Sequence, residues 1–388
     1  MHLLVYKSTL DWPRLSGHDV HTYEMMKAWI ELGNEVSLAT YYKPTDVAIA
    51  GLKLNSTYSI NDICLNDFKN SCWGRALPER FANYWGISRN HTIEFAEIAN
   101  EINADVVIVS GLDCLPMLYN VSGAKRVWYA ADEWFWHHLS LVKPFDIKSW
   151  IEVYSALIKG LYEWSYRKFM DRIWVVTKSD ARAMHRITGI NNIDILPNGV
   201  DASYFHQLEL TDEIPKSLIF WGRLDFLPNI QALDWFCKKI WPAIVSKNKD
   251  AVFTIMGANP TQFIKKLKET KGVRLLADVE DLRPEINRSQ IVVLPFTSGG
   301  GIKNKLLEAA AMGKPIVCSQ SATNGLNGTP PMMIAHTPQE WSVAIEKLWN
   351  DAELRHISGM QAREWVCKEH SWMKTATVAL ASLKSLKG

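Results

Sequence analysis

One stretch of the sequence, 298–317, combines exposed backbone, two cations and a carboxylate: SGGGIKNKLLEAAAMGKPIV. It opens with residues that let a ligand approach the main chain, Gly299, Gly300, Gly301 and Ile302. A helix predicted over 302–312 adds partial positive charge at its amino terminus. Lys303 and Lys305 add full charges, while Glu308 can accept hydrogen bonds from ribose hydroxyls. The pattern favours a nucleotide, with phosphates at the glycines and ribose at Glu308.

Simpler explanations exist for the same residues. Glycine runs before helices are often only loops, lysines on helices are usually solvated, and Glu308 could cap the helix or form an ion pair. The stretch is not a GxGxxG fingerprint, because the third glycine position falls on Asn304, and no GxxxxGK[ST] loop occurs anywhere in the chain.

A second candidate site follows another apolar strand, in LIFWGRLDFLPN. Gly222 and Arg223 come at the carboxyl end of that strand, which is the usual ligand edge of a parallel sheet. The Arg223 guanidinium could fork onto a diphosphate, or it could pair with Asp225. Further along, the turn at Val279 could offer backbone groups to a base edge.

The elements that must position these residues alternate between strands and helices. In the first half, strands are predicted at 2–7, 35–42, 104–111, 125–133 and 172–179, and helices at 19–33, 92–103 and 147–170. In the second half, strands are predicted at 217–223, 251–257, 273–278, 291–296 and 315–319, and helices at 228–246, 260–270, 281–288 and 302–312. The end of the chain, 338–387, is predicted to be helical.

This alternation predicts an α/β protein with two Rossmann-like domains that face each other across a cleft, where ligands usually bind. The turn-rich stretch ILPNGVDASYF, 195–205, marks the linker. We therefore expect one domain over 1–195 and a nucleotide-binding domain over 196–360. A C-terminal helix within 361–388 is expected to return to the first domain.

Composition excludes several classes of protein. A net charge of +2 over 388 residues gives no reason to expect nucleic acid as a partner. The six cysteines form no CxxC pair, so neither a zinc site nor a disulfide framework is indicated, which fits a reducing cytoplasm. No signal peptide and no apolar run of about 18 residues is present, so a spanning helix is not expected.

Tryptophan is enriched, with 17 residues, and many of them lie near the middle of the chain. One aromatic and cationic span, 134–172, contains Trp134, Phe135, Trp136, Lys143, Trp150, Lys159, Trp164, Arg167, Lys168 and Arg172. The span is either helix packing in the core or an apolar face for sugar rings or a lipid surface.

The order and spacing of these motifs resemble the GT-B-fold glycosyltransferases of glycosyltransferase family 4. The resemblance runs through ILPNGVD, FWGRLD, FTIMG, VEDLRPEINRSQIVVLPF, KLLEAAAMGKPIV and HSWMK, and covers nearly all of 195–375. It is weaker in the first domain, where SGHDVHTYEMMKAWIELGNEV looks like the family's first glycine loop and helix.

The resemblance implies a retaining glycosyltransferase that uses a UDP- or GDP-sugar, with no cofactor. No Asp-x-Asp triplet is present to hold a metal, so cations and helix dipoles are expected to stabilise the leaving diphosphate. The implied donor-binding residues are Gly222, Arg223, Val279, Gly299, Gly300, Gly301, Ile302, Lys303 and Glu308. Arg223, Lys303 and Lys305 are implied to act on the leaving group.

The first domain is implied to bind the acceptor, near Ser16, Gly17 and His18. Asp132 or Glu133 could orient an acceptor hydroxyl or act as a base, and a structural cap is an equally good explanation for them.

Three departures from the family pattern stand out. The first of two glutamates spaced eight apart is replaced by Gly300, which leaves Glu308 alone. The lysine that usually follows Gly-Arg is missing, and Lys303 or Lys305 is expected to replace its charge. The His-Asp that often ends a late strand of the first domain is Ala131-Asp132 here.

The expected role is the transfer of a sugar to a glycan or lipid-linked acceptor in bacterial surface polysaccharide or glycolipid assembly. The protein is expected in the cytoplasm, with peripheral attachment to the inner face of the membrane. Two alternatives stay open, a nucleotide-sugar epimerase of the same fold and a catalytically silent partner module.

Overall fold

The computed structural model describes residues 1–12, 17–60, 76–131, 135, 138–139, 142, 147–209, 212–298 and 301–385. The chain divides into two compact units. The first contains Met1–Leu196 and Met373–Gly388, and the second contains Pro197–Trp372.

The described part of the first unit is built on seven parallel strands: β1 (His2–Lys7), β2 (Glu35–Thr40), β3 (Ser56–Ser59), β4 (Val106–Ser110), β5 (Lys125–Ala131), β6 (Arg172–Val175) and β7 (Ile193–Ile195). Their order is β3-β2-β1-β4-β5-β6-β7. Strands β1 and β4 pair in register from Leu3 opposite Val106, and their apolar side chains are buried on both faces. The strand order reverses beside β1, which makes the β1/β4 edge the switch point of this sheet.

Helices surround this sheet: α1 (Gly17–Glu31), α2 (Leu77–Tyr84), α3 (Arg89–Glu101), α4 (Ile151–Ser165) and α5 (Lys178–Thr188). The predicted helix over 147–170 is shorter in the structure, since 147–150 is a 3₁₀ turn and α4 ends at Ser165. Strand β3 was not predicted, because STYS is a short edge strand without an apolar run.

The second unit has six parallel strands within its described residues: β8 (Ile214–Trp221), β9 (Val252–Gly257), β10 (Val273–Ala277), β11 (Ser289–Leu294), β12 (Ile316–Cys318) and β13 (Met333–Ile334). Their order, β10-β9-β8-β11-β12-β13, repeats that of the first sheet and places the switch point between β8 and β11.

The helices of this unit are α6 (Leu227–Lys239), α7 (Trp241–Lys247), α8 (Gln262–Leu267), α9 (Arg283–Arg288), α10 (Asn304–Ala311), α11 (Pro338–Asn350) and α12 (Ala352–Glu369). The predicted helix over 228–246 is divided into α6 and α7 at Ile240, next to Pro242, which lacks the N–H that a continuous helix would need.

The last helix, α13 (Trp372–Lys384), returns to the first unit, where Ser382 accepts a hydrogen bond from Trp174 Nε1 at 3.3 Å. The expected boundary at residue 360 falls inside α12, which belongs to the second unit. Helix α12 packs within the second unit because Gly359 lies directly against the backbone of Gly313. A Cβ at Gly359 would overlap the Gly313 carbonyl oxygen.

Candidate functional site

The carboxyl end of β8 is opened by two glycines that touch each other. Gly222 has φ 140° and Gly257 has φ 150°, both outside the range that other residues adopt easily. The Gly222 N–H donates to Met256 O at 3.0 Å, and a Cβ on Gly257 would overlap the Gly222 carbonyl oxygen. Glycine is therefore required at both positions for the chain to turn away from the sheet at its ligand edge.

Lys305 fills the space that Gly222 leaves. A Cβ on Gly222 would lie 2.7 Å from Lys305 Nζ, so the ammonium group sits directly over this bare backbone. Lys305 Nζ donates to Asn229 Oδ1 at 2.8 Å and lies 4.5 Å and 5.0 Å from the ring centroids of Phe220 and Phe296. The groups that contact this cation directly are neutral, and the Glu308 carboxylate acts on it electrostatically without forming an ion pair, so the ammonium group can still bind an anion.

Burial lowers the pKa of Lys305 to about 7, and the neighbouring charge of Lys303 lowers the pKa too, while Glu308 raises it. At neutral pH the ammonium group is therefore close to its titration point. A diphosphate would favour the charged form and compensate for the desolvation that this partly buried group suffers.

Glu308 is held by the same strand end. Its Oε2 accepts a hydrogen bond from Trp221 Nε1 at 2.8 Å. Burial raises the pKa of Glu308, while the Trp221 hydrogen bond and the charge of Lys305 lower it. The tryptophan fixes one carboxylate oxygen, so that Oε1 is the atom that could accept from a ribose.

The amino terminus of α10 immediately precedes Lys305 in the chain, with Glu308 further along the same helix. Lys303 is the N-cap residue and supplies no side-chain cap, and its Nζ lies 5.4 Å from the Phe296 ring centroid. Ile302 is buried and Gly301 has φ 68°. Gly299 and Gly300, which were predicted to bind the donor, lie outside the described residues.

Arg223 adopts the alternative that the sequence left open. Its Nε and Nη2 donate to the two carboxylate oxygens of Asp225 at 3.1 Å and 2.9 Å, and its side chain is 45% exposed. Such an exposed pair contributes only about 0–1 kcal/mol, so the guanidinium can be released to a diphosphate at small cost. Val279 is half-buried beyond the end of β10, and its suggested contact with a base stays a prediction.

The first unit has its own cluster at the β1/β4 switch point. His18 Nε2 and Ser110 Oγ are 2.9 Å apart, and His18 Nδ1 lies 3.4 Å from Lys7 Nζ. Lys7 Nζ forms an ion pair with Asp19 Oδ1 at 2.8 Å. Burial, followed by the charge of Lys7, lowers the pKa of His18 to about 3, so the imidazole is neutral at physiological pH.

Of the predicted acceptor-side residues, Gly17 begins α1 and His18 joins this cluster. Ser16, Asp132 and Glu133 lie outside the described residues, while Ala131 ends β5. Among the residues that the structure describes, no group of three histidine, cysteine or acidic side chains is arranged to hold a metal ion.

Comparison with known proteins identifies the segment that carries Gly222, Lys305 and Glu308. The family model for glycosyl transferases group 1 matches residues 215–351. The matched segment lies within the second unit. The chain is also 27% identical over 241 residues to the D-inositol 3-phosphate glycosyltransferase of Paenarthrobacter aurescens (strain TC1), which covers 53% of this chain and 55% of the relative. The match thus spans about half the length of that relative.

Solved structures extend the similarity to both units. HepE from Anabaena, in complex with UDP and glucose, superposes with a TM-score of 0.67 at 11% identity over 99% of each chain. TarM superposes with a TM-score of 0.71 at 12% identity, again over 99% of each chain. A variant of S. aureus TarM has been solved with UDP, fondaparinux and alpha-GlcNAc-glycerol. Together with the two parallel sheets, these similarities show the GT-B fold.

Two segments of the second unit, 197–200 and 370–371, meet beside α10. The Val200 N–H donates to His370 O at 2.8 Å, and His370 Nδ1 lies 2.9 Å from Asn198 O. The Asn198 side chain in turn donates to Asn304 Oδ1 at 2.7 Å, at the first residue of α10. Distant segments at 197–200 and 370–371 thus fix the amino terminus of α10.

The sequence did not indicate several residues of the second unit that shape the site. Asn229 entered only as a position where a lysine was absent, and yet it holds the replacement lysine. Trp221, Phe220 and Phe296 were interpreted as apolar strand residues. Two sequence features together could have indicated that these residues meet. One is an aromatic residue at a strand end followed by Gly-Arg, and the other is a helix with a lysine and a glutamate three residues apart.

Proposed function

We propose that the chain is a retaining glycosyltransferase that moves a sugar from a nucleotide-sugar donor to a glycan or lipid-linked acceptor. The observation that carries the proposal is the placement of Lys305 Nζ over the bare backbone of Gly222, within a glycosyl transferases group 1 domain. Glu308 follows one turn along α10 and is pinned by Trp221. A diphosphate against Lys305 would bring its ribose towards Glu308.

In the proposed reaction, the bond between the sugar C1 and the diphosphate oxygen breaks and its electron pair stays with the diphosphate. Lys305, Lys303 and the amides at the start of α10 stabilise the charge that develops there. The acceptor oxygen bonds to C1 from the same face, and its proton passes to the departing phosphate oxygen. Because protein cations stand where a metal would otherwise be needed, we propose that transfer is metal-independent.

The donor is proposed to be a UDP- or GDP-hexose. UDP occurs in the structures of HepE and of the TarM variant, which share the fold of this chain. The ribose contact proposed for Glu308 does not distinguish uridine from guanosine, because both carry the same sugar. The assignment to glycosyltransferase family 4 within the wider group stays a prediction.

The acceptor is proposed to be engaged by the first unit, at the cluster of His18, Lys7 and Ser110. A neutral imidazole beside a serine hydroxyl suits a polar, uncharged group such as a sugar hydroxyl. The names and ligands of the relatives point to phosphorylated polyols and glycans as acceptors. We place the activity in bacterial surface polysaccharide or glycolipid assembly at the cytoplasmic face of the membrane, with the protein attached peripherally.

Two measurements test the function. A thermal-shift series with UDP, GDP, ADP and CMP should show one nucleotide diphosphate that stabilises the protein, because a ligand that binds only the folded state raises its apparent stability. The matching nucleotide sugar, supplied with chelator and a panel of glycan and lipid-linked acceptors, should yield a glycoside of unchanged anomeric configuration by NMR. Free epimerised sugar would instead establish the epimerase, and the absence of nucleotide binding would contradict any donor site.

A further inference from the structure

Helix α4 of the first unit carries an apolar face that points to solvent. The exposed residues of α4, together with Trp150 just before it, are all large and apolar. We call them the α4 stripe: Trp150 (56% exposed), Ile151 (67%), Tyr154 (67%), Leu157 (57%), Leu161 (43%) and Trp164 (42%). A row of six such side chains on one helix far exceeds the scattered apolar residues that protein surfaces normally show.

The stripe occupies a single side of the helix. Residues 150, 154, 157, 161 and 164 follow spacings of three and four, which stack on one helical face over about 20 Å. The opposite side packs on the protein, where Ala156 and Tyr162 are buried. A Cβ on Gly160 would lie 2.8 Å from the Phe135 ring. The buried face of α4 therefore holds the helix against the first unit, and the exposed α4 stripe is not required for that packing.

Charge along α4 is arranged to suit an anionic surface. The Arg167 guanidinium lies 3.7 Å over the Trp164 ring, and Lys168 is exposed one residue further on. The two carboxylates of α4 face elsewhere, since Glu163 is buried and Glu152 lies 2.6 Å from His138 Nδ1. Tryptophan and tyrosine are the side chains most suited to the boundary between lipid headgroups and acyl chains.

We propose that the α4 stripe docks the protein on an anionic lipid bilayer, with α4 lying in the plane of the interface and Arg167 and Lys168 against the headgroups. No described helix is long and apolar enough to span a bilayer, so attachment through these residues would be interfacial. The link to a lipid-linked acceptor rests on the proposed function, but bilayer binding is independent of turnover.

The structure also reduces the number of residues in the aromatic and cationic span, 134–172, that could contact lipid. Arg172 is not part of a surface, because it is buried and paired with Asp194, and Phe135 packs on Gly160. Trp134, Trp136 and Lys143 lie outside the described residues. Lys159 is half-buried near Glu163 and Glu152. The other described members of the span, Trp150, Trp164, Arg167 and Lys168, remain as candidates for contact with lipid.

Vesicle flotation of the full chain tests the proposal, with vesicles of pure phosphatidylcholine or of phosphatidylcholine and phosphatidylglycerol. The stripe variant is Tyr154→Ser/Leu157→Ser/Leu161→Ser. The matched control is Val343→Ser/Ile357→Ser/Met360→Ser, three exposed apolar positions on α11 and α12 of the second unit. Wild type and control should float with anionic vesicles, and the stripe variant should bind at least tenfold more weakly while its thermal shift with nucleotide is unchanged.

The charge component is tested with Arg167→Gln and Lys168→Gln, each of which should weaken binding to anionic vesicles about fivefold and leave neutral vesicles unaffected. Wild type that stays unbound on every vesicle overturns the proposal, whatever the activity assay shows. So does a dimer, seen by light scattering without lipid, that the stripe variant abolishes, because the stripe would then be covered by a second copy.

Discussion

Lys7 and Lys305 stand at equivalent points of the two units and have opposite surroundings. Each ammonium lies at the carboxyl edge of a parallel sheet, beside the position where the strand order reverses. Lys7 is buried and neutralised by Asp19 at 2.8 Å. Lys305 is held by the neutral amide of Asn229 and the faces of two phenylalanines.

The different surroundings of Lys7 and Lys305 suggest that the same sheet edge serves a different purpose in each unit. A lysine that is already paired with a carboxylate gains little from a further anion, and it can instead orient neutral hydrogen-bonding groups such as His18 and Ser110. The direct contacts of Lys305 are the neutral Asn229 amide and two phenylalanine rings, and Glu308 is near enough to raise its pKa. A lysine in these surroundings, without a carboxylate in direct contact, retains attraction for a phosphate. The comparison supports our proposal that the anionic donor binds to the second unit, and experiments on donor binding and turnover can test it.

The largest expected effect follows loss of the lysine that neutral groups hold. Lys305→Met should lower turnover by about 10²- to 10³-fold, because the leaving diphosphate loses its buried cation in the transition state. Steady-state rates at saturating nucleotide sugar measure this. Arg223→Gln is the matched comparison, and it should lose only about tenfold, since that guanidinium is exposed and already engaged by Asp225. Equal losses in the two variants would remove the special role of Lys305.

Glu308→Ala should weaken nucleotide diphosphate binding with less effect on the chemical step. Loss of a hydrogen bond to a charged group costs about 1.5–3 kcal/mol, which corresponds to roughly 10- to 150-fold in Kd. Isothermal titration with the nucleotide selected by thermal shift gives this value directly. Glu308→Gln retains an acceptor oxygen and should lose less than the alanine variant. Unchanged affinity in Glu308→Ala would exclude the carboxylate from the donor site.

The two units also differ in how far the sequence predicted them. In the second unit, strand ends marked by Gly222, the loop before α10 and Glu308 were found because the backbone and the helix period dictate where they lie. The link between Lys305 and Asn229 could not be predicted, because it depends on the packing of α6 against α10 over a missing Cβ.

In the first unit five of the seven described strands were predicted, whereas β3, β7 and the cluster were not. His18 was expected near an acceptor, whereas Lys7, Asp19 and Ser110 carry no motif and meet only because parallel strands β1 and β4 end together. For α4 the sequence left core packing and a lipid-facing surface as alternatives, since an apolar period does not show which face of the helix is covered. Tertiary context decides both features.

A smaller effect is expected from pH. The pKa of Lys305 is lowered to about 7 by burial, so below pH 7 the cation is present before the nucleotide diphosphate binds. Above pH 7 binding must take up a proton, and affinity should fall by up to about tenfold per pH unit. Titrations between pH 7 and 8.5 avoid ionisation of the terminal phosphate, and Lys305→Met should be flat there. His18 adds no slope in this range, because its pKa is lowered to about 3.

The smallest effect on the donor is expected from the other lysine. Lys7→Met should change nucleotide affinity by less than about twofold, because Lys7 is neutralised by Asp19 and lies in the unit to which we assign the acceptor. Its effect should appear in stability instead. The variant removes the 2.8 Å ion pair between Lys7 and the partly buried Asp19, which should lower the free energy of unfolding by about 1–3 kcal/mol in urea titrations.

The double variant Lys7→Met/Asp19→Asn separates that cost from a direct role in binding. Removing both charges also removes the carboxylate that Lys7 pairs with, so the double variant should recover part of the stability lost by Lys7→Met. Acceptor affinity should stay low in both variants if Lys7 orients His18 towards a sugar hydroxyl. If Lys7→Met weakened the nucleotide as strongly as Lys305→Met, the two lysines would serve one anion, and the division of donor and acceptor between the units would be wrong.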